Sequence, residues 1–304
     1  MWYFEFFIMT FLTIFLKVNC DGEIICNNSK TTARISRVNY SSPLEFNEEQ
    51  VQHCLLENSI KIELLTSAPP NCTIKSFEIY EYPKERLSVN VSLIFPELLV
   101  YKINNSKIVN IFKNAFYGLT KLEELNVRNT ELIQIRQGVF NGLINLITLR
   151  LDDNNIQYVS DEAFVDLINL EYLSFHNNWM SKIKRNNFKG LSSLKILDLS
   201  KNYIHIIDLN AFDDVKNLRS LDLSNNGLFV ITRNTFIGLN FLTYLNLDRN
   251  DIHKIDGDAF DGLQSLKTVR FVFENITKNC IKKDFEGDGE LKELIAAVKI
   301  NCTR

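Results

Sequence analysis

Asp152, His176 and Ser200 are spaced 24 residues apart, and these are the residue types of a nucleophilic triad. If each stood on one of three adjacent strands, in register, the side chains would come within reach of one another. An open sheet surface, however, provides no evident oxyanion hole and no pocket that excludes water. Ser200 also ends the segment Leu-Asp-Leu-Ser, which recurs at 221–224. The sequence therefore predicts that the protein is not an enzyme.

The residues that commonly bind metals or phosphates are scattered along the chain. His53, His176, His205 and His253 show no spacing typical of metal ligands. The acidic turns at 256–258 and 284–288 lack the positional pattern of a calcium-binding EF-hand loop, and no glycine-rich phosphate loop is present. We therefore expect neither a metal site nor a cofactor.

A strict repeat of 24 residues dominates the middle of the chain. Columns of phenylalanine, leucine and asparagine recur at this interval without an insertion, and a weaker unit precedes them. The phenylalanine column is Phe116, Phe140, Phe164, Phe188, Phe212, Phe236 and Phe260. The asparagine column is Asn154, Asn178, Asn202, Asn226 and Asn250. Self-similarity at a fixed period of this length predicts a solenoid.

The unit at 194–212 shows how such a repeat folds. Leu197 and Leu199 alternate along a short strand and point inward. Asn202 turns the chain, and its amide can satisfy backbone groups in the bend. Phe212 fills the wide back of the coil. Because one unit cannot close its own core, stacked units share one, and we predict a parallel sheet along the concave face with the phenylalanines as a buried spine.

The pattern L-x-x-L-x-L-x-x-N-x-I-x-x-I-x-x-x-x-F-x-x-L resembles the extracellular leucine-rich repeat, from about 98 to 276. The resemblance implies an α/β solenoid, a leucine-rich repeat horseshoe with disulfide-bearing caps. Repeats with such caps resemble the ectodomains of Toll-like receptors, Slit and small matrix proteoglycans, and the short layout resembles the coil-less secreted leucine-rich immune proteins of insects. We predict a signal peptide at 1–20, an N-terminal cap with a degenerate repeat at 21–92, repeats at 93–277 and a C-terminal cap at 278–304.

The ends of the chain carry the signs of export. An apolar run at 2–16, followed by short residues at Val18 and Cys20, predicts a cleaved signal peptide, and no later segment resembles a membrane span. We therefore expect a secreted, extracellular protein without stable membrane insertion. Sequons predict glycosylation on both sides of the repeats but none between 105 and 274. They lie at Asn27, Asn39, Asn71, Asn90, Asn104, Asn275 and Asn301.

The cysteines likewise fall on both sides of the repeats. Cys280 and Cys302 flank an amphipathic helix predicted at 290–298 and are expected to form one disulfide. Cys26 is expected to pair with either Cys54 or Cys72. If Cys20 leaves with the signal peptide, five cysteines remain. One of them is then a free thiol or links two chains into a dimer.

The strand residues between the inward leucines face the concave side, where mixed charges and aromatic rings are typical of a protein-binding surface. Six residues that depart from the repeat's ordinary composition, or neighbour such positions, are the candidate partner contacts: Arg150, Tyr172, His176, Tyr244, Asp248 and Arg270. Trp179 lies just beyond its strand. It is either a further contact or a partly buried packing residue at the turn.

The amino-acid composition and the net charge argue against some classes of protein. Apolar residues make up 45% and charged residues 23%, which excludes a mainly disordered chain. The net charge of −3 disfavours a general nucleic-acid binder. We expect a secreted recognition protein that binds a protein or glycan on its concave face. Its resemblance to the insect proteins implies a role in innate, humoral immunity. The alternative is an extracellular-matrix or co-receptor protein with an adhesive or structural role.

Overall fold

The computed structural model describes residues 75–270, except 81, 83–84, 88–90, 94 and 257, together with the backbone of three further strands. Residues 1–18 of the predicted signal peptide, Cys54, Cys72, both C-terminal cysteines and the predicted helix at 290–298 lie outside the described residues. So do the sequons at 71, 90, 275 and 301.

Twenty strands are described. In chain order they are β1 Asn19–Asn27, β2 Lys30–Asn39, β3 Ser76–Tyr80, β4 Arg86–Leu87, β5 Val100–Ser106, β6 Asn110–Ile111, β7 Glu124–Thr130, β8 Gln134–Ile135, β9 Thr148–Arg150, β10 Tyr158–Val159, β11 Tyr172–Ser174, β12 Lys182–Ile183, β13 Ile196–Asp198, β14 Ile206–Ile207, β15 Ser220–Asp222, β16 Val230–Ile231, β17 Tyr244–Asn246, β18 Lys254–Ile255, β19 Thr268–Arg270 and β20 Phe285–Glu286.

One twelve-stranded sheet contains a strand from every turn, in the order β1-β2-β3-β5-β7-β9-β11-β13-β15-β17-β19-β20. From β2 to β19 the strands are parallel, and antiparallel pairing occurs at the ends, between β1 and β2 and between β19 and β20. Residues pair with partners 24 positions away, as Tyr172 does with Ile196. β3 continues this offset, because Phe77 pairs with Tyr101. The predicted parallel sheet and solenoid are confirmed, and the sheet's outward side is the concave face.

The interior is a continuous apolar core built from the predicted columns. Leu194, Leu197 and Leu199 are fully buried, and each phenylalanine of the spine is at most 5% exposed. Phe188 and Phe212 stack with ring centroids 6.1 Å apart, and the next pairs follow at 6.4 and 6.2 Å. Each buried ring contributes roughly 1.5–3 kcal/mol of transfer free energy. The phenylalanine column is a packing element, as predicted.

An asparagine ladder joins neighbouring turns. The Asn202 side-chain Nδ2 donates to the backbone oxygen of Leu199 at 3.1 Å and to that of Phe175, in the preceding turn, at 2.9 Å. Its Oδ1 accepts from the backbone N–H of Met180 at 3.0 Å. The predicted role of Asn202 is therefore confirmed. The same three kinds of bond are made by Asn154, Asn178, Asn226 and Asn250.

The residue before each ladder position has a left-handed backbone conformation, with a positive φ. Short polar side chains tolerate this conformation best, because they lack the steric conflict that Cβ-branched or bulky residues meet. Most members of the column are asparagine or aspartate, but two are long cations. The column is Asn105, Asn129, Asp153, Asn177, Lys201, Asn225 and Arg249, with φ between 50° and 57°.

The rest of each coil consists of turns and two-residue strands. Pairs such as β12–β14 and β16–β18 form small parallel sheets separate from the main one. Tight turns close the back of the coil, as where the Leu191 and Leu194 N–H groups donate to oxygens three residues earlier. Within the described part of the chain the helical element is one 3₁₀ turn, Val91–Leu93, and no helix there has the length and apolar character needed to cross a membrane.

Candidate functional site

Three side chains form a cluster near the middle of the concave face. Tyr172 lies between Thr148 and Ile196 in the sheet register. The Arg150 guanidinium, one strand away, lies over the Tyr172 ring, 4.8 Å from its centroid. Ile196 is 41% exposed. Arg150, Tyr172 and Ile196, hereafter the central cluster, combine an aromatic ring, a cation held against it and an uncovered aliphatic side chain.

Tyr244 lies in the same column as Tyr172 but apart from it. The register runs from Tyr172 through Ile196 and Ser220 to Tyr244, which is three strand steps. At ~4.8 Å per step the two positions are about 14 Å apart. The two tyrosines are therefore separate contact points on one face rather than a single aromatic pair.

Arg150 also belongs to an ion-pair group around Asp152. The buried Asp152 carboxylate is 3.0 Å from Arg128 Nε and 3.9 Å from an Arg150 guanidinium nitrogen. Burial raises the pKa of Asp152, while a hydrogen bond from Ser174 and the two guanidinium charges oppose that shift. Arg150 is thus positioned from two sides, by the Asp152 carboxylate and by the Tyr172 ring.

Asp248 and Arg270 hold each other at the C-terminal part of the face. Asp248 Oδ2 is 3.3 Å from Arg270 Nε, and Asp248 is only 8% exposed. Of these two candidate contacts, Arg270 is the exposed one, whereas the buried carboxylate serves mainly to orient the guanidinium. Three sequon asparagines, Asn27, Asn39 and Asn104, lie on strands of this sheet, and Asn104 is half-exposed on β5, at the other end of the repeats.

His176 does not act as a base toward Ser200. The Ser200 hydroxyl donates to Asp198 Oδ1 at 2.5 Å, so its only proton is already engaged. His176 Nδ1 is 2.8 Å from the same Ser200 oxygen and must therefore be the donor in that contact. Asp152 pairs with arginines instead of orienting the imidazole. The three residues are neighbours in the sheet, but their hydrogen bonds run in the wrong direction for a nucleophilic triad.

Within the described ranges, no three His, Cys, Asp or Glu side chains are grouped so that they could hold a metal ion. The concave carboxylates are engaged in other ways. Asp222 accepts from Asn246 Nδ2 at 2.9 Å and from the Ser224 hydroxyl at 2.6 Å. Glu124 accepts from Asn126 at 2.7 Å.

Trp179 belongs to a second set of exposed rings past the asparagine ladder, and sequence reasoning missed the other three. Trp179 is 51% exposed, so much of its ring is accessible to a partner. Tyr158, Tyr203 and Phe229, on neighbouring turns, are also exposed. The sequence does contain a signal, because each of four successive repeats carries one large ring just after the ladder asparagine. The pattern is hard to recognise because the position of the ring shifts by a few residues between repeats.

The comparisons with known proteins agree with this geometry. The family model described as leucine rich repeat matches residues 120–178, 168–228 and 216–270. No curated protein matches the sequence significantly. The structure of a complex of TLR13 with ssRNA13 is similar at 26% identity and a TM-score of 0.60, covering 65% of this chain and 29% of that one. The glycosylated Toll–Spatzle complex of Drosophila is similar at 21% identity and a TM-score of 0.60, covering 65% and 27%.

The chain therefore spans less than a third of the length of either of these relatives. The family match, the 24-residue register and the asparagine ladder coincide over the same residues. Residues 120–270 are leucine-rich repeats, and they form the solenoid fold that the Toll and TLR13 structures share.

Proposed function

We propose that this protein is an extracellular recognition module that binds a partner protein through its concave face. The observation that carries the proposal is the central cluster, because arginine and aromatic side chains surrounded by apolar area are typical of the residues that dominate binding energy at interfaces. The parallel sheet beneath the cluster holds it rigidly, so little conformational entropy is lost on binding. Toll in complex with Spatzle provides a precedent for a protein ligand on this fold.

Secretion and a role in defence belong to the same proposal. The apolar N-terminal run, the sequons and the cysteines support export. The resemblance to secreted insect immune proteins supports a humoral role, and the Toll complex is described as a hub in development and innate immunity. The alternative is a matrix or co-receptor role. The identity of the captured partner distinguishes this role from the role in defence.

RNA is the weaker candidate for the concave face, although TLR13 is bound to ssRNA13. A phosphate backbone is bound by cations that are free to neutralise it. On this face Lys102 is 3.4 Å from Glu78, and Arg128 is 3.0 Å from Asp152. These carboxylates already compensate the cations. The net charge of −3 points in the same direction.

Affinity capture from the extracellular fluid of the source organism tests the proposal. We expect Tyr172→Ala to weaken capture by roughly thirtyfold, equivalent to about 2 kcal/mol, because it removes the ring of the central cluster. Tyr172→Ala combined with Tyr244→Ala should abolish capture, because both contact points on the face are then lost. Secretion should be unchanged, since neither ring belongs to the buried core.

Tyr203→Ala is the matched control, because it removes the same side chain from a different surface. If the Tyr172→Ala and Tyr244→Ala double variant captures its partner as well as the wild-type protein does, the concave-face proposal is refuted. Loss of capture in Tyr203→Ala alone would move the partner site to the other surface.

A further inference from the structure

An open groove of about 470 Å³ lies along the side of the main sheet at which the chain enters the strands. One row of its lining consists of the residues directly before β5, β7, β9 and β11, which are Leu99, Glu123, Ile147 and Glu171. The backbone N–H of each of the last three donates to the backbone oxygen of the one before it, at 2.8–2.9 Å. Ile147 is exposed, and a carboxylate side chain follows it in the row on either neighbouring turn.

Short polar residues form the second row and keep the groove open. Asn145, Asn169 and Ser193 occupy the same repeat position on three successive turns. Each side chain donates to a backbone oxygen of the preceding turn, as Asn169 Nδ2 does to Ile144 at 2.9 Å. The side chains are therefore held against the backbone and do not fill the space beside Ile147.

These hydrogen bonds make the groove rich in acceptors. Because the Asn145 and Asn169 amides donate to backbone oxygens at 2.7 and 2.9 Å, their Oδ1 atoms remain to accept from a ligand. Ser193 donates its one proton in the same way at 2.6 Å and keeps its lone pairs. A ligand that brings several donors fits this arrangement.

The groove also has one carboxylate without a compensating charge. Lys121 Nζ is 2.6 Å from a Glu97 carboxylate oxygen, and Lys195 pairs with Glu171, so these four charges cancel. Glu123 is exposed, and no basic side chain of the described residues pairs with it. A cation that enters the groove therefore meets a carboxylate that no cation of the described chain already holds.

We propose that this groove binds an arginine side chain of a partner protein. A guanidinium has five donors, no acceptor and a permanent positive charge, which matches the free acceptors and the Glu123 carboxylate. Its aliphatic stem lies along Ile147, as arginine stems commonly do on apolar surface. Ile144 and Ile168, exposed beside the second row, contact apolar residues on either side of that arginine.

The open, polar character of the groove favours a protein as the source of the guanidinium, since small-molecule sites are mostly apolar and bury their ligand. The inference goes beyond the concave-face function, because Arg150, Tyr172 and Ile196 are not lining residues of the groove. The two surfaces are adjacent, since Glu171 directly precedes Tyr172. A partner that covers the concave face therefore has this groove at its border.

Selection from a random dodecapeptide phage library on the full secreted chain tests the inference. The library is first depleted on the Asn169→Phe variant, in which a ring fills the groove. Phe241 is exposed at the same repeat position three turns later, so this column accepts phenylalanine. Depletion removes peptides that bind elsewhere, including those on the concave face. We expect the remaining binders to share an arginine flanked by apolar residues.

One selected peptide is then synthesised and titrated calorimetrically. Glu123→Gln keeps the shape of the side chain and removes its charge, so it should weaken binding by about tenfold or more. Citrulline in place of the peptide's arginine should weaken binding by a similar factor, because it is the neutral analogue. Glu131→Gln, an exposed carboxylate outside the groove, and Tyr172→Ala, on the concave face, should both bind as the wild-type protein does.

Thermal unfolding midpoints establish that each variant is folded, and Ser193→Phe replaces Asn169→Phe if the latter is not. The inference is overturned if the depleted library yields no binder, or if the selected peptides lack arginine. It is also overturned if binding is unchanged in Glu123→Gln. Loss of peptide binding in Tyr172→Ala would place the peptide on the concave face and would refute the groove as its site.

Discussion

Asn202→Asp should destabilise the repeats in a pH-dependent way. The substitution keeps the shape of the side chain but replaces an amide that donates to the oxygens of Phe175, Leu199 and Ser200, all within 3.2 Å. A protonated carboxyl can donate one of these bonds, so near pH 4 the loss should be about 1–2 kcal/mol. An ionised carboxyl would point negative oxygens at three carbonyl groups in a buried site, so folding raises the pKa of the new carboxyl above its unfolded value of about 4.

The sign of the pH effect follows from that raised pKa. The folded state of Asn202→Asp binds more protons than the unfolded state between the two pKa values, so its stability falls as the pH rises. The slope is about 1.4 kcal/mol per pH unit until the folded pKa is reached, which limits the added loss at pH 7 to about 4 kcal/mol. Urea unfolding followed by circular dichroism at several pH values, each referenced to the wild-type protein, measures this dependence.

Asn225→Asp is the matched control, because Asn225 is left-handed and half-exposed and is not part of the ladder. It should lose little stability at any pH. An Asn202→Asp penalty that is equal at pH 4.5 and 7.5 would show that the three carbonyl oxygens do not control the site. A penalty of the same size and slope in Asn225→Asp would refute the reasoning as well.

Three further substitutions separate packing from backbone geometry. Phe188→Ala should lose about 3–5 kcal/mol and reduce secretion, because it removes a buried ring from the spine, whereas Ser192→Ala on the exposed turn should do neither. Gly190→Ala and Gly238→Ala both place alanine at a φ near 90°, at about 1 kcal/mol, but only at Gly190 does the new Cβ come within 2.6 Å of the Val165 backbone. Gly190→Ala should therefore unfold at clearly lower urea, and equal midpoints would contradict the contact. Lys201→Asn should stabilise the protein by about 0.5–1 kcal/mol, because asparagine tolerates the left-handed φ of 52° better than lysine, and an unchanged thermal midpoint would count against that strain.

The core was predictable because its residues recur. Phe188 and Asn202 each belong to a column that keeps its chemical type at every 24th position, so periodicity alone places them inside. Once the strands are in register, the separation of Tyr172 and Tyr244 also follows from counting turns. Everything that depends on the backbone repeat can therefore be derived from the sequence.

The concave face was predictable only in part, because its side chains do not repeat. The sequence does not show which carboxylate Arg150 approaches or that its guanidinium lies over Tyr172, because both depend on the rotamers of Arg150 and of its neighbours on the same and adjacent turns. The burial of Asp248 by its surroundings is likewise not visible in its column. The exposure of Trp179 was ambiguous because a large apolar side chain beside a turn can point either way, and it becomes visible only in the structure, where the next residue, Met180, is buried.

The asparagine ladder has a consequence for how this chain can change length over evolutionary time. Each amide bonds a backbone oxygen three residues earlier and another 27 residues earlier, so the distance along the chain between turns is measured against fixed atoms. An insertion of one residue between those oxygens displaces the amide from its partners, whereas duplication of a whole unit reproduces every bond. Homologues of different length should therefore gain or lose complete turns, with any odd residues confined to the stretches outside the ladder.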